Sequence, residues 1–198
     1  MFEQNSETEN ESVGSLAKQY FGEAVRIIVL SLAIILPVRY FLIQPFYVKG
    51  ASMEPNFYDH EYLVIDELSY RLHVPTRGEI VVFRPPTGKN DFFIKRVIGL
   101  PGETVIVKDG VVTILDQDHP KGYRLDESTY LSGIYTPGEA KVTLSSDEFF
   151  LMGDNRSVSL DSRSFGAVPQ KNIVGKVWVR GWPIERIGSI STPAYSKE

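Results

Sequence analysis

The sequence predicts a mostly β protein, in which an antiparallel β-sheet domain follows one N-terminal transmembrane helix. The first observation is a mostly apolar run over residues 24–46, "AVRIIVLSLAIILPVRYFLIQPF", which is long enough to cross a hydrocarbon core of about 30 Å. The second is a series of short β-branched and aromatic runs after it, bounded by Gly, Pro and Asp as strands are by turns. With 198 residues, the chain is expected to form one folded domain with appendages.

The segment before the strands divides into two predicted parts. Residues 1–20 begin with the acidic stretch "MFEQNSETENESVGS" and are expected to be a disordered tail, because few apolar groups are available to offset ordering entropy. Residues 21–46 are predicted to be a transmembrane anchor helix, in which Arg26 and Arg39 snorkel and Pro37 is tolerated. A buried amphipathic helix is the alternative, and the acidic N-terminus argues against a cleaved signal peptide.

Residues 48–187 are predicted to form the β domain. Its strand-like runs are "EYLVIDE", "GEIVVFRPP", "DFFIKRVIGLPGE", "TVIVKDGVVTIL", "DEFFLMGDNR" and "IVGKVWVRGWP". The Asp-Gly pair in "VKDGVV" indicates a tight hairpin. Residues 116–146 show little alternation and are expected to form an excursion or a minor β lobe, and residues 188–198 a loose tail.

Composition excludes several classes of function. A net charge of −4 without a Lys/Arg-rich run argues against nucleic acid as a partner. The chain has no cysteine, which excludes disulfides, a thiol nucleophile and cysteine-based zinc sites. His60, His73 and His119 lack the spacing of metal ligands, so neither a metal nor another cofactor is expected.

Two residues could form a catalytic pair, although each alone has an ordinary interpretation. Ser52 lies in the loop "GASMEP", where serines are commonly turn formers. Lys95 lies in "DFFIKRVIG" among apolar neighbours, where it could be an edge-strand lysine or a desolvated base with a lowered pKa. The sequence has no G-x-S-x-G elbow and no His-Asp pair in a suitable context, so a nucleophilic Ser52 would need a base such as Lys95.

A third polar stretch, "MGDNRSVSLDSRSFG", covers residues 152–166. Asp161 and Arg163 are two residues apart, so they would share a face of an extended chain and could pair. Ser159 and Ser162 place two hydroxyls among them. The stretch could be a polar surface loop or a packed polar network.

In their order along the chain, these motifs resemble those of bacterial type I signal peptidases. "GASMEP" is similar to the nucleophile motif of that family, "FIKRVIGLPGE" to its general-base motif and "GDNRSVSLDSRSFG" to its C-terminal motif. The resemblance covers residues 20–187, and "RYFLIQPFYVKGASMEP" is also similar to the cyanobacterial and plant thylakoid enzymes. It implies the antiparallel β-sheet catalytic domain of the signal-peptidase type.

The resemblance also implies a role for each matching residue. Ser52 would be the nucleophile and Lys95 its general base. Ser159 would hydrogen-bond and orient the lysine, while Asp161 and Arg163 would form a supporting ion pair.

The expected oxyanion hole and substrate pockets follow from the same resemblance. The backbone N–H of Ser52 would be one oxyanion donor, but Gly50 stands where some family members carry a serine whose hydroxyl is the second. Asn56 replaces a more usual threonine. The pockets for small side chains before the scissile bond are expected to be lined by Val48, Met53, Phe57, Phe93 and Ile94.

The function that the resemblance implies is a membrane-anchored serine endopeptidase that cleaves N-terminal signal peptides from exported preproteins. Preproteins and the lipid bilayer would be its partners. The N-terminus would be cytosolic and the catalytic domain periplasmic or extracytoplasmic, at the inner cell membrane or the thylakoid membrane. Two alternatives stay open: a non-catalytic, membrane-tethered β domain that binds extended peptides, and a Ser-Lys protease of the self-cleaving repressor type.

Overall fold

The chain forms two compact units, residues 1–42 and residues 43–198. The computed structural model describes residues 4–41, 44–88, 91–131, 133 and 135–195. Within these residues, twelve strands follow the first helix, and their bounds are β1 Gln44–Tyr47, β2 Tyr62–Asp66, β3 Ile80–Phe83, β4 Phe93–Gly99, β5 Thr104–Lys108, β6 Val111–Leu115, β7 Tyr123–Arg124, β8 Ala140–Thr143, β9 Glu148–Met152, β10 Val168–Pro169, β11 Ile173–Trp182 and β12 Gly188–Ser189. The helices are α1 Gln4–Phe41, α2 Ser69–Leu72 and α3 Ser162–Phe165, with 3-10 turns at Gln170–Asn172 and Ile184–Arg186.

Helix α1 differs from the predicted bounds at both ends. It begins at Gln4, where residues 1–20 were expected to be disordered, because Glu and Gln are good helix formers and extension of a formed helix needs no new nucleus. It ends at Phe41, and β1 then begins at Gln44, within the segment 21–46 that was expected to be helical throughout. By length and composition alone, Lys18–Leu36 could cross a membrane.

The larger sheet is antiparallel and has the strand order β1-β2-β11-β3-β4-β9-β10, with β12 paired to β11. This confirms the predicted fold class. Every residue of β3 is buried, because Ile80 and Val82 pack into one apolar cluster while Val81 and Phe83 pack into another. Strand β4 lies between β3 and β9, so its polar side chains are also removed from solvent.

The smaller sheet has the order β7-β6-β5-β8. The predicted hairpin joins β5 to β6, and its turn uses positive φ angles at Asp109 (51°) and Gly110 (81°). This lobe extends from Thr104 to Thr143, whereas the sequence placed it within residues 116–146. The difference arises because β5 and β6 alternate like the strands of the larger sheet, and alternation does not reveal which strands pair.

The C-terminal segment 188–198 was expected to be loose, but residues 188–190 and Tyr195 contact the rest of the β domain. Gly188 and Ser189 pair with β11, and Ile190 packs on the apolar cluster that contains Phe57. Tyr195 packs against the core of the smaller lobe. Isolated apolar residues produce no periodic pattern in the sequence, which is why this docking was not predicted.

Candidate active site

Ser52 lies in a loop of residues 48–61, which joins β1 to β2 and is called the Ser52 loop below. Two backbone hydrogen bonds close its neck: Val48 N–H donates to the Glu61 carbonyl at 2.9 Å, and His60 N–H donates to the Val48 carbonyl at 3.1 Å. Inside the loop, Phe57 N–H donates to the Met53 carbonyl at 2.9 Å. The loop is therefore a closed structure that presents Ser52 from the edge of the larger sheet.

Lys95 on β4 lies beside the Ser52 hydroxyl. Its Nζ is 2.7 Å from Ser52 Oγ and 2.8 Å from the Ile94 carbonyl oxygen. The residue is only 3% exposed. Burial lowers the pKa of Lys95 to about 8, against the opposing effect of the negative charges of Asp161 and Asp154. Near neutral pH a useful fraction of this amine is unprotonated, and an unprotonated amine at this distance can accept the serine proton.

The segment after β9 holds Ser52 from the other side. Asn155 N–H donates to the Ser52 carbonyl at 3.0 Å. A Cβ atom at Gly153 would lie 2.5 Å from the same carbonyl and would also overlap Ser159 Oγ. Only glycine fits at position 153, because the backbones of two separate segments approach each other there.

Asp161 and Arg163 form a bidentate ion pair behind this segment. Arg163 Nε and Nη2 each donate to the Asp161 carboxylate at 2.8 Å, and Gly153 N–H donates to it at 3.0 Å. Burial acts to raise the pKa of Asp161, but the hydrogen bonds and charge of Arg163 hold that pKa below its usual range. The carboxylate is therefore ionised near Lys95 at neutral pH.

Ser159 lies close to Asp161 and does not make the expected hydrogen bond to Lys95. The two hydrogen bonds of Lys95 Nζ among the described residues go to Ser52 and Ile94. Ser159 Oγ is buried without a hydrogen bond of good geometry, although it is near enough to Asp161 to help lower the pKa of that carboxyl. The sequence of the motif could not predict the direction of the Ser159 side chain, because that direction depends on how residues 157–160 pack against Gly153.

A second buried ion pair was missed by the sequence analysis. Arg96 Nε and Nη2 donate to the two carboxylate oxygens of Asp154 at 2.8 and 2.6 Å, and both residues are buried. Arg96 Nη1 donates to the Gly78 carbonyl at 2.9 Å, and the guanidinium stacks 4.0 Å from the centroid of the Tyr130 ring. Asn56 Nδ2 donates to Asp154 Oδ2 at 2.8 Å, which links this pair to the Ser52 loop. The available signal was Arg96, a charged residue on the mostly apolar strand β4, whereas Asp154 lies two residues beyond the end of β9.

Arg156 is a second buried cation that was missed. Its Nε donates to the Gly153 carbonyl at 3.0 Å, and its guanidinium pairs with Glu127 and donates to Thr136 Oγ1 at 2.6 Å. Glu127 and Thr136 belong to the chain between β7 and β8 of the smaller lobe. Arg156 therefore connects the smaller lobe to the segment that contacts Ser52.

A cavity of about 630 Å³ opens beside Ser52 and Lys95. Of the five expected pocket residues, Val48, Phe93 and Ile94 line it. Met53 and Phe57 are instead buried in the core, each 1% exposed, because the turn after Ser52 directs them inward. The remaining apolar lining, which the sequence did not identify, consists of Phe46, Tyr47, Ala51, Leu63, Val82, Phe92, Val158 and Leu160.

The backbone N–H of Ser52 and that of Gly50 differ in whether they are already bonded. Within the described residues, the Ser52 N–H makes no hydrogen bond, so it is available to an oxyanion. The Gly50 N–H already donates to Asp59 Oδ1 at 2.9 Å. No group of three or more His, Asp or Glu side chains in the described part of the chain is arranged to hold a metal ion.

Comparisons with known proteins agree on one family. The family described as signal peptidase, peptidase S26, matches residues 21–182. A signal peptidase I from Leptolyngbya laminosa is 38% identical over 86% of this chain and 84% of its own length. A probable signal peptidase I-2 from Synechocystis is 38% identical over 87% of this chain and 78% of its own length. The signal peptidase IB of Staphylococcus aureus is 30% identical over 86% of this chain and 94% of its own length. A crystal structure of a signal peptidase I from Enterococcus faecalis is 29% identical, covers 53% of this chain and 97% of that one, and has a TM-score of 0.42.

The Arg96–Asp154 pair predicts a large stability loss when one partner is removed. Asp154→Ala leaves a buried guanidinium without its counterion, so the free energy of unfolding is expected to fall by about 3–5 kcal/mol. Thermal or urea unfolding of the full chain in detergent, followed by circular dichroism, measures the change.

Asp118→Ala is the matched control, because Asp118 is exposed and its loss should change stability by no more than about 0.5 kcal/mol. Adding Arg96→Met to Asp154→Ala should recover part of the loss, since the unpaired charge is then gone. A loss below about 1 kcal/mol for Asp154→Ala would contradict this interpretation of the buried pair.

Proposed function

The chain belongs to the signal peptidase family, peptidase S26, and on that premise we propose that it cleaves signal peptides from exported preproteins with Ser52 and Lys95 as a catalytic dyad. The observation that carries the proposal is the 2.7 Å separation between Lys95 Nζ and Ser52 Oγ in a setting that lowers the pKa of the lysine. Because the chain offers no histidine base at this position, the lysine amine is the group that can activate the serine.

The proposed reaction proceeds in two stages. Unprotonated Lys95 takes the proton of Ser52 Oγ as that oxygen attacks the scissile carbonyl carbon, and the ammonium then protonates the leaving amine. A water molecule, activated by the same amine, hydrolyses the acyl-enzyme and returns Ser52 to its starting state. The Ser52 N–H stabilises the oxyanion, and the second donor comes from the backbone or from water, because Gly50 has no hydroxyl to offer.

Substrate binding is assigned to the cavity beside the dyad. Its apolar walls at Val48, Phe93 and Ile94 would select small, uncharged side chains before the scissile bond by shape. Asp161, with Arg163 as its partner, would keep the pKa of Lys95 from falling further, and Ser159 would support that carboxylate.

Membrane anchoring by helix α1 completes the proposal. The segment Lys18–Leu36 is long and apolar enough to span a bilayer, and a preprotein presents its scissile bond at the end of an apolar segment. The N-terminus would then be cytosolic and the β domain extracytoplasmic, at the cell membrane or at a thylakoid membrane.

The first prediction for this function concerns the dyad. Ser52→Ala and Lys95→Ala should each reduce preprotein cleavage in detergent by about 10⁴-fold or more, because members of one catalytic unit act together. Lys95→Arg should be equally inactive, since a guanidinium stays protonated and cannot act as a base. The measurement is product formation from a preprotein at fixed enzyme concentration.

Ser157→Ala and Lys141→Ala are matched controls on exposed residues outside the cavity, and both should keep normal activity. Substantial cleavage by Lys95→Ala would rule out the dyad. If Ser52→Ala retained full biological effect while binding peptides, the chain would be a peptide-binding β domain that works by strand addition.

The second prediction concerns pH. Lys95 must be unprotonated to act and its pKa is lowered to about 8, so kcat/KM should fall about tenfold per pH unit below pH 8 and level off above it. Asp161→Asn removes a negative charge that raises the pKa of Lys95, so the midpoint of this acidic limb should move to lower pH. Rates from pH 5 to 10 on one preprotein test both statements.

Asp118→Asn, a change of the same charge on an exposed residue, should leave the midpoint in place. An acidic limb that moved to higher pH in Asp161→Asn would show that another group controls the profile.

The third prediction concerns topology. Protease added to right-side-out vesicles should digest residues 48–198 and spare an N-terminal tag, because only the β domain would face the outside. Detergent lysis before protease is the control and should expose the tag as well. Protection of the β domain in intact vesicles would reverse the proposed orientation.

A further inference from the structure

The chain that leaves Ser52 is tied firmly to its surroundings. The Asn56 side chain donates to Asp154 at 2.8 Å, and the backbone carbonyl oxygen of Asn56 accepts hydrogen bonds at 2.5 and 3.1 Å from Arg180 and Arg186. Those two arginines are in turn paired with the buried carboxylate of Glu61. This half of the Ser52 loop is thus fixed by charged groups on other elements.

The chain that enters Ser52 has much less support. Lys49 and Gly50 are exposed, and a Cβ atom at Gly50 would meet nothing within 4 Å, so packing does not hold this position. In the described part of the chain, the one hydrogen bond made by Lys49 or Gly50 runs from the Gly50 N–H to Asp59 Oδ1, at 2.9 Å. The carboxylate of Asp59 is therefore the tie between the two halves of the loop at this point.

Gly50 is also the position where the entering chain could most easily rotate. Its φ angle is +87°, in the left-handed region that glycine adopts without steric cost. Gly50 lies two residues before Ser52, so a backbone rotation there would displace the serine hydroxyl and its N–H. A displacement of about 1 Å in a reacting group can cost about a hundredfold in rate.

The residue after Asp59 has an uncommon backbone conformation and contacts the Asp59 carboxylate. His60 has a φ angle of +69°, which is uncommon for a residue other than glycine and persists only where the surroundings impose it. Its Nδ1 lies 2.9 Å from Asp59 Oδ2, and its ring packs edge to face on Tyr47 with centroids 5.5 Å apart. With Oδ2 engaged by His60, Oδ1 of the same carboxylate faces the Gly50 N–H.

We propose that Asp59 is a positioning residue for the nucleophile. By accepting the hydrogen bond of the Gly50 N–H, it holds the entering half of the Ser52 loop so that Ser52 Oγ stays within hydrogen-bond distance of Lys95. Asp59 acts through Gly50 and not on the substrate. The inference rests on the proposed function, because it is measured through the same cleavage reaction.

The test compares Asp59→Ala with Asp59→Asn in the full chain. The alanine variant loses the acceptor, so kcat should fall about tenfold to a hundredfold. KM should change by less than about threefold, because the walls of the cavity remain. The asparagine variant keeps an oxygen acceptor of the same reach, so its kcat should stay near that of the wild type. Rescue by asparagine separates a positioning hydrogen bond from an effect of the Asp59 charge.

Two outcomes would overturn the proposal: a wild-type kcat in Asp59→Ala, or an equal loss of kcat in Asp59→Ala and Asp59→Asn. If Asp59→Ala does not unfold cooperatively, Asp59→Glu takes its place, since it keeps the charge but moves the acceptor by one methylene. Its kcat should then be below that of Asp59→Asn, and equal values would overturn the proposal. Asp118→Ala, an exposed carboxylate far along the chain, is the control for general effects of charge removal.

Failure of this inference can be distinguished from failure of the proposed function by the Ser52→Ala variant. If Ser52→Ala is inactive and Asp59→Ala is fully active, the dyad stands and Asp59 has no positioning role. If Ser52→Ala still cleaves preproteins, the proposed function itself fails.

Discussion

The burial of an amine beside a hydroxyl is the constraint on which the rest of this structure depends. Lys95 can remain partly unprotonated near neutral pH only if water is kept from its Nζ. That requires a strand that has a neighbouring strand on each side and is buried. Strand β4 meets the requirement because β3 and β9 flank it and apolar clusters pack around them. The larger sheet is thus what keeps water from the amine of Lys95 and lowers its pKa.

Two consecutive residues of β4, Lys95 and Arg96, are both buried basic side chains, but they have different kinds of partner. Arg96 is compensated by the bidentate carboxylate of Asp154, and its role is to join β4 to the segment after β9 and to Asn56. Lys95 has no carboxylate within hydrogen-bond distance among the described residues, and its nearest polar partners are a hydroxyl and a carbonyl. The difference suits the two groups, because a guanidinium stays charged in any environment whereas an amine can lose its proton.

Three separate segments meet at Ser52, and each contributes a different kind of contact. Strand β4 provides the amine, the segment after β9 provides the Asn155 N–H and the close approach at Gly153, and the Ser52 loop provides its own internal ties. Arg156 extends this arrangement to the smaller lobe through Glu127. The smaller lobe, which shares an apolar cluster with the larger sheet, is therefore also linked to the segment that contacts Ser52.

The sequence by itself determined the local features of this protein: the apolar helix, the alternating strands, the Asp-Gly hairpin, and the candidates Ser52, Lys95, Asp161 and Arg163. These are encoded in spacing and residue type over short windows, which periodicity and motif order can reveal. Only the tertiary structure decided that β5–β8 form a separate sheet, that Tyr195 docks, that Met53 and Phe57 point into the core, and that Arg96, Asp154 and Arg156 are buried partners. Each of these depends on contacts between residues far apart in the chain, and the direction in which a side chain finds its partner is not a property of its own segment.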